Sequence, residues 1–327
     1  MKVVGRDPVP ELRDKAAAWA PASLSNLGPG FDVLGIAVNA WGDRIEAIRT
    51  EGSGIVIGYA GDSIWTGVTD PGQNTAGVAA DRTLKALGRN GGVELIIHKN
   101  ISPGSGVGSS AASAVAAAWA VNLLFGTQLS KEQLIQAVLE GEAVASGAMH
   151  GDNAIPALFG GTAIVSASDP STYRRLRVDE SLQLSIVLPN VQILTRAARE
   201  MLPEQVPFRD AMFHSSSLAM LVDSLKDGDW PAVGRYIMDD RIVEPVRSRL
   251  LSCYDAVKRA ALEAGAYGCA ISGSGPAMFA VSEDPERAGS ILQAMIEASE
   301  AAGIEADGTV TTPDNEGVRE WVSPDSA

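Results

Sequence analysis

Two spacings of apolar residues alternate along this chain, one of every second residue and one of every third or fourth, and their order outlines the fold. Alternation begins at Ala16–Ala20 (AAAWA), is interrupted by a loop rich in glycine and proline, and resumes as two further strands reaching about Glu51. Asn74–Gly88 carries the helical spacing and stops at a glycine, and Gly92–Ile101 is a strand. A glycine-rich segment then opens onto a long alanine-rich helix reaching about Gly126. Lys131–Gly147 is another helix, and Gly160–Ala167 is a strand that closes a first domain.

The polar stretch Ser168–Ser181 separates this pattern from a second one. A strand at Leu182–Pro189 is followed by a run of helices over about Thr195–Gly265, and two short strands then flank Ser272–Pro276. A helix at Pro285–Gly303 and a last strand at Glu305–Thr312 complete the order β-α-β-β-α-β, the split arrangement of a ferredoxin-like domain with extra helices. The patterns predict an α+β protein with an N-terminal domain over residues 1–172 and a C-terminal domain over residues 173–327. Residues 1–14 read as a short, disordered extension before the first strand.

Composition narrows the function. The 327 residues are 46% hydrophobic and 20% charged, and 26 basic against 40 acidic residues give a formal charge of −14. That charge repels phosphate backbones and anionic lipid, so neither nucleic acid nor a membrane surface is an expected partner. An anion can still bind through local donors. Cys253 and Cys269 are too few for a disulfide framework or a zinc site and read as buried thiols. No apolar run reaches the roughly 18 residues of a bilayer span, and the first residues lack the apolar core of a signal peptide, which together point to the cytoplasm.

The most informative segment is Ile101–Gly126, ISPGSGVGSSAASAVAAAWAVNLLFG. Gly104, Gly106 and Gly108 alternate with Ser105 and Val107, and Ser109 and Ser110 stand where the helix begins. Such a loop can turn backbone N–H groups inward beside the positive end of the helix dipole, making an anion site that needs no lysine. A polyphosphate is the ligand this suggests. A Walker loop is excluded because no lysine lies between Lys99 and Lys131, and a dinucleotide fingerprint because Gly108 follows Gly106 by only two positions. A flexible turn capped by Ser109 remains the alternative on this segment alone.

The segment SPGSGVGSSAAS resembles the phosphate-binding motif of the GHMP kinases, a family of small-molecule kinases. Two more segments match that family in order, PASLSNLGPGFDVLG (Pro21–Gly35) and AISGSGPAMFAV (Ala270–Val281). The resemblance implies the GHMP fold, an N-terminal mixed-sheet domain with a left-handed βαβ-type nucleotide site and a ferredoxin-like C-terminal domain. Members similar to mevalonate or galactose kinases carry Ala-Pro-Gly-Lys where this chain has Ala20-Pro21-Ala22-Ser23. Residues Asn26–Asp32 instead resemble the branch that phosphorylates homoserine, as do GEAVASGAMHGDNAIPALFGG (Gly141–Gly161), TRAAREMLP (Thr195–Pro203) and DDRIVEPVR (Asp239–Arg247). Two positions depart from the pattern, the order of SPGSG and Gly151 between His150 and Asp152.

The resemblance implies ATP and Mg²⁺ as cofactors, L-homoserine as acceptor, O-phosphohomoserine for threonine synthesis as product, and a possible homodimer. It implies that Arg199 and Arg247 take the substrate carboxylate, a task for which planar guanidinium is suited. Asp32 would meet the ammonium, with Asn26, His150 and Thr195 completing the substrate site. Asp152 and Asn153 would orient the reacting hydroxyl, and Ser110 and Glu142 would hold the metal, with Ser109 able to exchange with Ser110. Asn74, the loop Pro103–Ser110, and Gly273, Ser274 and Gly275 would hold the nucleotide. Another small-molecule kinase of the family, or a catalytically silent sensor with its fold, are the competing expectations. His98 and His214 read as structural.

Overall fold

A helix without a polar face must be buried, and this chain places one at its centre. Helix Ser109–Leu124 has 14 buried residues among its 16, half of them alanine, and the small side chains let strands and helices approach it closely. The computed structural model describes residues 12–322. In chain order the first part contains β1 (Lys15–Asn26), β2 (Gly30–Thr50), β3 (Gly54–Tyr59), α1 (Thr75–Ala86), β4 (Gly92–His98), α2 (Ser109–Leu124), α3 (Lys131–Ser146), α4 (Gly151–Phe159), β5 (Thr162–Ser166) and β6 (Asp169–Leu176). The second part contains β7 (Gln183–Pro189), α5 (Thr195–Glu200), α6 (Phe208–Asp227), α7 (Trp230–Ile237), α8 (Glu244–Arg247), α9 (Tyr254–Glu263), β8 (Gly268–Ile271), β9 (Met278–Ser282), α10 (Pro285–Ala301), β10 (Ala306–Thr311) and β11 (Arg319–Glu320).

The larger sheet has the path β11-β1-β2-β4-β3, with β5 on β2 and β6 on β5. Its pairs are antiparallel except β3 with β4, which are parallel and joined through α1. The long strand β2 serves two neighbours in turn, β5 along Leu34–Ile36 and β4 along Arg44–Thr50. The smaller sheet, β10-β7-β9-β8, is antiparallel throughout and has the expected β-α-β-β-α-β connectivity. Mixed sheet, ferredoxin-like sheet and added helices together make the α+β fold expected from the sequence.

Several elements differ from the sequence reading. β1 continues to Asn26 rather than ending at Ala20, and β2 is one strand rather than two, its register against β1 shifting at Pro21/Ala22. α4 escapes the periodicity because it is short and carries Pro156, which interrupts a helical pattern. β6 escapes it because it is an edge strand with most side chains in water, so its sequence DPSTYRRL has no apolar face to detect. Position 172 therefore falls inside β6. The chain also returns to the first sheet at its far end, through a bridge between Val38 and Pro313 and through β11 on β1. Cys253 and Cys269 are buried free thiols, as expected, and burial pushes the Cys269 thiol up to about 12. Most of the extension expected over residues 1–14 lies outside the described residues. Among the described residues no helix is long and apolar enough to cross a membrane.

Candidate active site

Loops from both sheets enclose a cavity of about 460 Å³. Its floor is the glycine loop between β4 and α2. Gly104, Gly106 and Gly108 all have positive φ, and Gly108 caps α2 with no side chain on the first-turn N–H groups. A Cβ at Gly106 would lie 2.7 Å from the Ser272 carbonyl oxygen and 2.9 Å from that of Gly275, and one at Gly108 would lie 2.2 Å from Ser23 Oγ. The loop is therefore interlocked with the other two glycine-bearing segments. Ser272 Oγ donates to the Gly106 carbonyl (2.7 Å), the Ala277 N–H to the Ser105 carbonyl (3.0 Å) and the Ser23 N–H to the Val107 carbonyl (3.2 Å). A side chain at position 106 would disturb this packing as well as the cavity.

Of the residues expected at the nucleotide, Asn74, Pro103, Gly104, Gly106, Gly108, Ser109, Ser110, Gly273 and Ser274 line the cavity. Ser105, Val107 and Gly275 are outside its lining: Ser105 Oγ bonds the Ser102 carbonyl at 2.7 Å, and Val107 is packed in the core. Ser109 is not the cap of α2, since its hydroxyl donates to the Ile101 carbonyl at 3.0 Å. Asn74 does cap α1, accepting from the N–H groups of Ala76 and Gly77, while its Nδ2 donates to the Val68 carbonyl (2.7 Å) and the Tyr59 hydroxyl (3.2 Å). Both ends of that amide hold the wall formed with Tyr59, Val68 and Ile97.

Beneath the loop lies a cluster that sequence reading missed. Lys99 Nζ donates to the Asp43 carboxylate, the Ser109 carbonyl (2.9 Å) and Ser113 Oγ (3.0 Å). Asp43, fully buried, also accepts the Ser113 hydroxyl (2.6 Å) and the N–H groups of Asn100 (3.0 Å) and Ile101 (3.1 Å). The pair pins the start of the loop and the first turn of α2 to β2. Nothing in local spacing joins residues 56 positions apart, although a lysine directly before the glycine segment was visible.

Two buried acids stand above it. Glu142, on α3, accepts a hydrogen bond from the Ser110 side chain, and burial with the nearby Asp152 charge pushes it up to about 8. Asp152, in the first turn of α4, is pushed up to about 7 by burial and by the charge of Asp32, although it accepts the Asn153 N–H at 3.1 Å. Asn153 is gripped from β1: Ser23 Oγ donates to its Oδ1 (2.9 Å) and its Nδ2 donates to Ser25 Oγ (3.0 Å).

The far end of the cavity is cationic. Arg199 makes a two-pronged pair with Asp32, both contacts at 2.8 Å, which raises the guanidinium's pKa. Arg247 donates to the Gly273 carbonyl at 2.7 Å and is pushed down to about 10 by burial. Both guanidinium carbons lie over the Phe31 ring, 5.2 and 5.0 Å from its centroid, within cation–π range. The Arg247 segment is fixed by Asp240, which accepts the N–H groups of Ile242, Val243 and Glu244, and by Glu244, which binds Tyr254 and Lys258. Asn26 Nδ2 donates to the Gly273 carbonyl (2.9 Å), Thr195 Oγ1 lies 3.5 Å from Ser274 Oγ, and His150 Nδ1 is 4.0 Å from Asp32. Burial lowers the His150 pKa, leaving a neutral ring at pH 7. His98 and His214 lie outside the cavity lining, beside Asp62 and Asp240 respectively.

Known proteins decide which family has this arrangement. Residues 74–161 match the GHMP kinases N terminal domain and residues 221–301 the GHMP kinases C terminal domain. A homoserine kinase of Pyrococcus abyssi is 41% identical over 298 residues, 91% of this chain and 97% of that protein. The chain belongs to the homoserine kinases of the GHMP family. A plant homoserine kinase, from Arabidopsis thaliana, is 42% identical over 92% of this chain and 83% of its own length. The crystal structure of a homoserine kinase from Cytophaga hutchinsonii superposes with a TM-score of 0.90 at 37% identity, covering 98% of this chain and all of that one. The L. major mevalonate kinase, at 16% identity and a TM-score of 0.71, shares the fold. Membership in the GHMP kinases makes ATP the phosphoryl donor and an alcohol oxygen the acceptor.

Proposed function

We propose that this chain transfers the γ-phosphoryl group of ATP to the side-chain hydroxyl of L-homoserine, giving O-phospho-L-homoserine and ADP for threonine synthesis. The observation that carries this reading is the convergence of two guanidiniums and one carboxylate at one end of a cavity whose other end is a glycine loop. A zwitterionic amino acid matches that charge pattern. Its carboxylate sits between Arg199 and Arg247, and its ammonium takes Asp32 in exchange for part of the Arg199 pair. The side chain then reaches Asp152 and Asn153, which hold the hydroxyl oxygen towards the phosphoryl group.

Phosphoryl transfer passes through a loose transition state, so the protein's contribution is alignment and charge rather than covalent chemistry. The triphosphate lies along the N–H groups of the loop and the first turn of α2, over the Lys99–Asp43 base. Ser110 and Glu142 hold Mg²⁺ in this reading. A buried carboxylate beside a hydroxyl offers the hard oxygen donors that ion takes, and Glu142, raised to about 8, is a carboxyl whose ionised form a bound cation would stabilise. Magnesium supplies neutralisation of phosphate charge when bound. The Ser109 hydroxyl, engaged with Ile101, is less suited than Ser110.

The test is ADP release from ATP and Mg²⁺ with L-homoserine, beside L-serine, L-threonine and mevalonate. Release with homoserine alone is expected, and release with mevalonate alone overturns the reading. Light scattering of the same sample tests the homodimer, and fractionation its cytoplasmic location.

A further inference from the structure

We propose that Ser23 and Ser25 are positioning residues that aim the Asn153 amide at the acceptor hydroxyl. The two side chains share one face of β1, being two residues apart on a strand. Both are buried, at 0% and 2% exposure, where a hydroxyl is costly unless bonded. Each holds a different end of one side chain: Ser23 Oγ bonds Asn153 Oδ1 at 2.9 Å and Ser25 Oγ takes Asn153 Nδ2 at 3.0 Å. The second N–H of that amide is left for the cavity, which Asn153 and Ser25 both line.

The clamp is itself held from two directions. The Ser23 N–H donates to Val107 in the glycine loop (3.2 Å), and the Gly273 N–H donates to the Ser25 carbonyl (3.0 Å). Any Cβ at position 108 would come within 2.2 Å of Ser23 Oγ, so Gly108 is what leaves room for the serine. Phosphate loop, amide and third loop are thereby set in one register through β1. With its carbonyl oxygen on Ser23, Asn153 meets the substrate as a donor, so it orients the reacting oxygen and does not take its proton.

This inference rests on the acceptor reading above, and a double-mutant cycle separates the two. Steady-state kinetics with ATP, Mg²⁺ and L-homoserine are measured for Ser23→Ala, Ser25→Ala and their combination, each in the wild-type and Asn153→Ala backgrounds. In the wild-type background kcat is expected to fall about tenfold for either serine and about a hundredfold for both, with KM for ATP and Tm little changed. In the Asn153→Ala background the same changes cost less than about twofold. Equal losses in both backgrounds, or an unchanged kcat in the double serine variant, overturn the proposal. Ser23→Cys, nearly isosteric, carries the test where alanine lowers Tm. A readout independent of turnover is the Asn153 side-chain amide in NMR. Slow hydrogen exchange lost in Ser25→Ala supports the clamp even if homoserine is not the acceptor, and rapid exchange in the wild type overturns it.

Discussion

Two groups of buried carboxylate lie a short distance apart in this molecule and are treated in opposite ways. Asp43, below the phosphate loop, is surrounded: an ammonium, a hydroxyl and two backbone N–H groups meet its two oxygens. Glu142 and Asp152, facing the cavity, each have another carboxylate close by, and burial raises both towards neutrality. A buried acid matched by an ammonium fixes architecture. One whose charge is opposed by its surroundings holds a position for a ligand that brings positive charge or hydrogen bonds with it, which is where perturbed carboxylates gather.

The contrast can be broken most directly at Asp43. Asp43→Asn leaves the Lys99 ammonium buried without its counter-charge, and a loss of about 3–5 kcal/mol in chemical denaturation is expected. The KM for homoserine should scarcely move in whatever fraction remains folded. Glu142→Gln should behave in the reverse sense, with kcat falling about a hundredfold or more and a higher Mg²⁺ requirement, while Tm at about pH 8 stays level or rises. A stability loss there as large as that at Asp43 would erase the distinction. Arg199→Ala is smaller, raising the homoserine KM roughly tenfold to a hundredfold with a lesser change in kcat, since a bound carboxylate loses one charged partner.

The smallest effect is one of pH. Glu142 and Asp152 bind their protons more tightly in the folded protein than in the unfolded chain, so this part of the stability is fully present at about pH 4 and is lost as pH rises through about 7 to 8. The Tm of the ligand-free protein should decline over that interval, and Glu142→Gln with Asp152→Asn should flatten the decline. A slope unchanged in the double variant would assign it to other groups.

What the chain disclosed beforehand follows from the range of the interactions. The glycine loop and the start of α2 lie in one short contiguous segment, so residue type and spacing carried them, and the other residues facing the cavity were reached through motifs that resemble those of a known family. Asp43 with Lys99, Ser23 and Ser25 with Asn153, and Phe31 under two arginines are pairings made across the fold, and each partner looks ordinary in its own segment. Ser105, Val107 and Gly275 belong to the same motifs but stand outside the cavity lining, because membership of a motif does not say which way a side chain faces. β6 and α4 were hidden by solvent exposure and by proline respectively.

The return of the chain to its first sheet has a consequence for biosynthesis. The outer edge of β1 is covered at Ala18 and Trp19 by Glu320 and Arg319, with the Trp321 N–H on the Ala17 carbonyl. Those partners leave the ribosome about 300 residues after the strand they cover. Throughout translation the nascent first sheet carries an open edge, the kind of surface on which strands of neighbouring polypeptides can add. β11 thus acts as a seal applied long after the strand it covers, and a message cut short before it would yield a product prone to stick to its own kind.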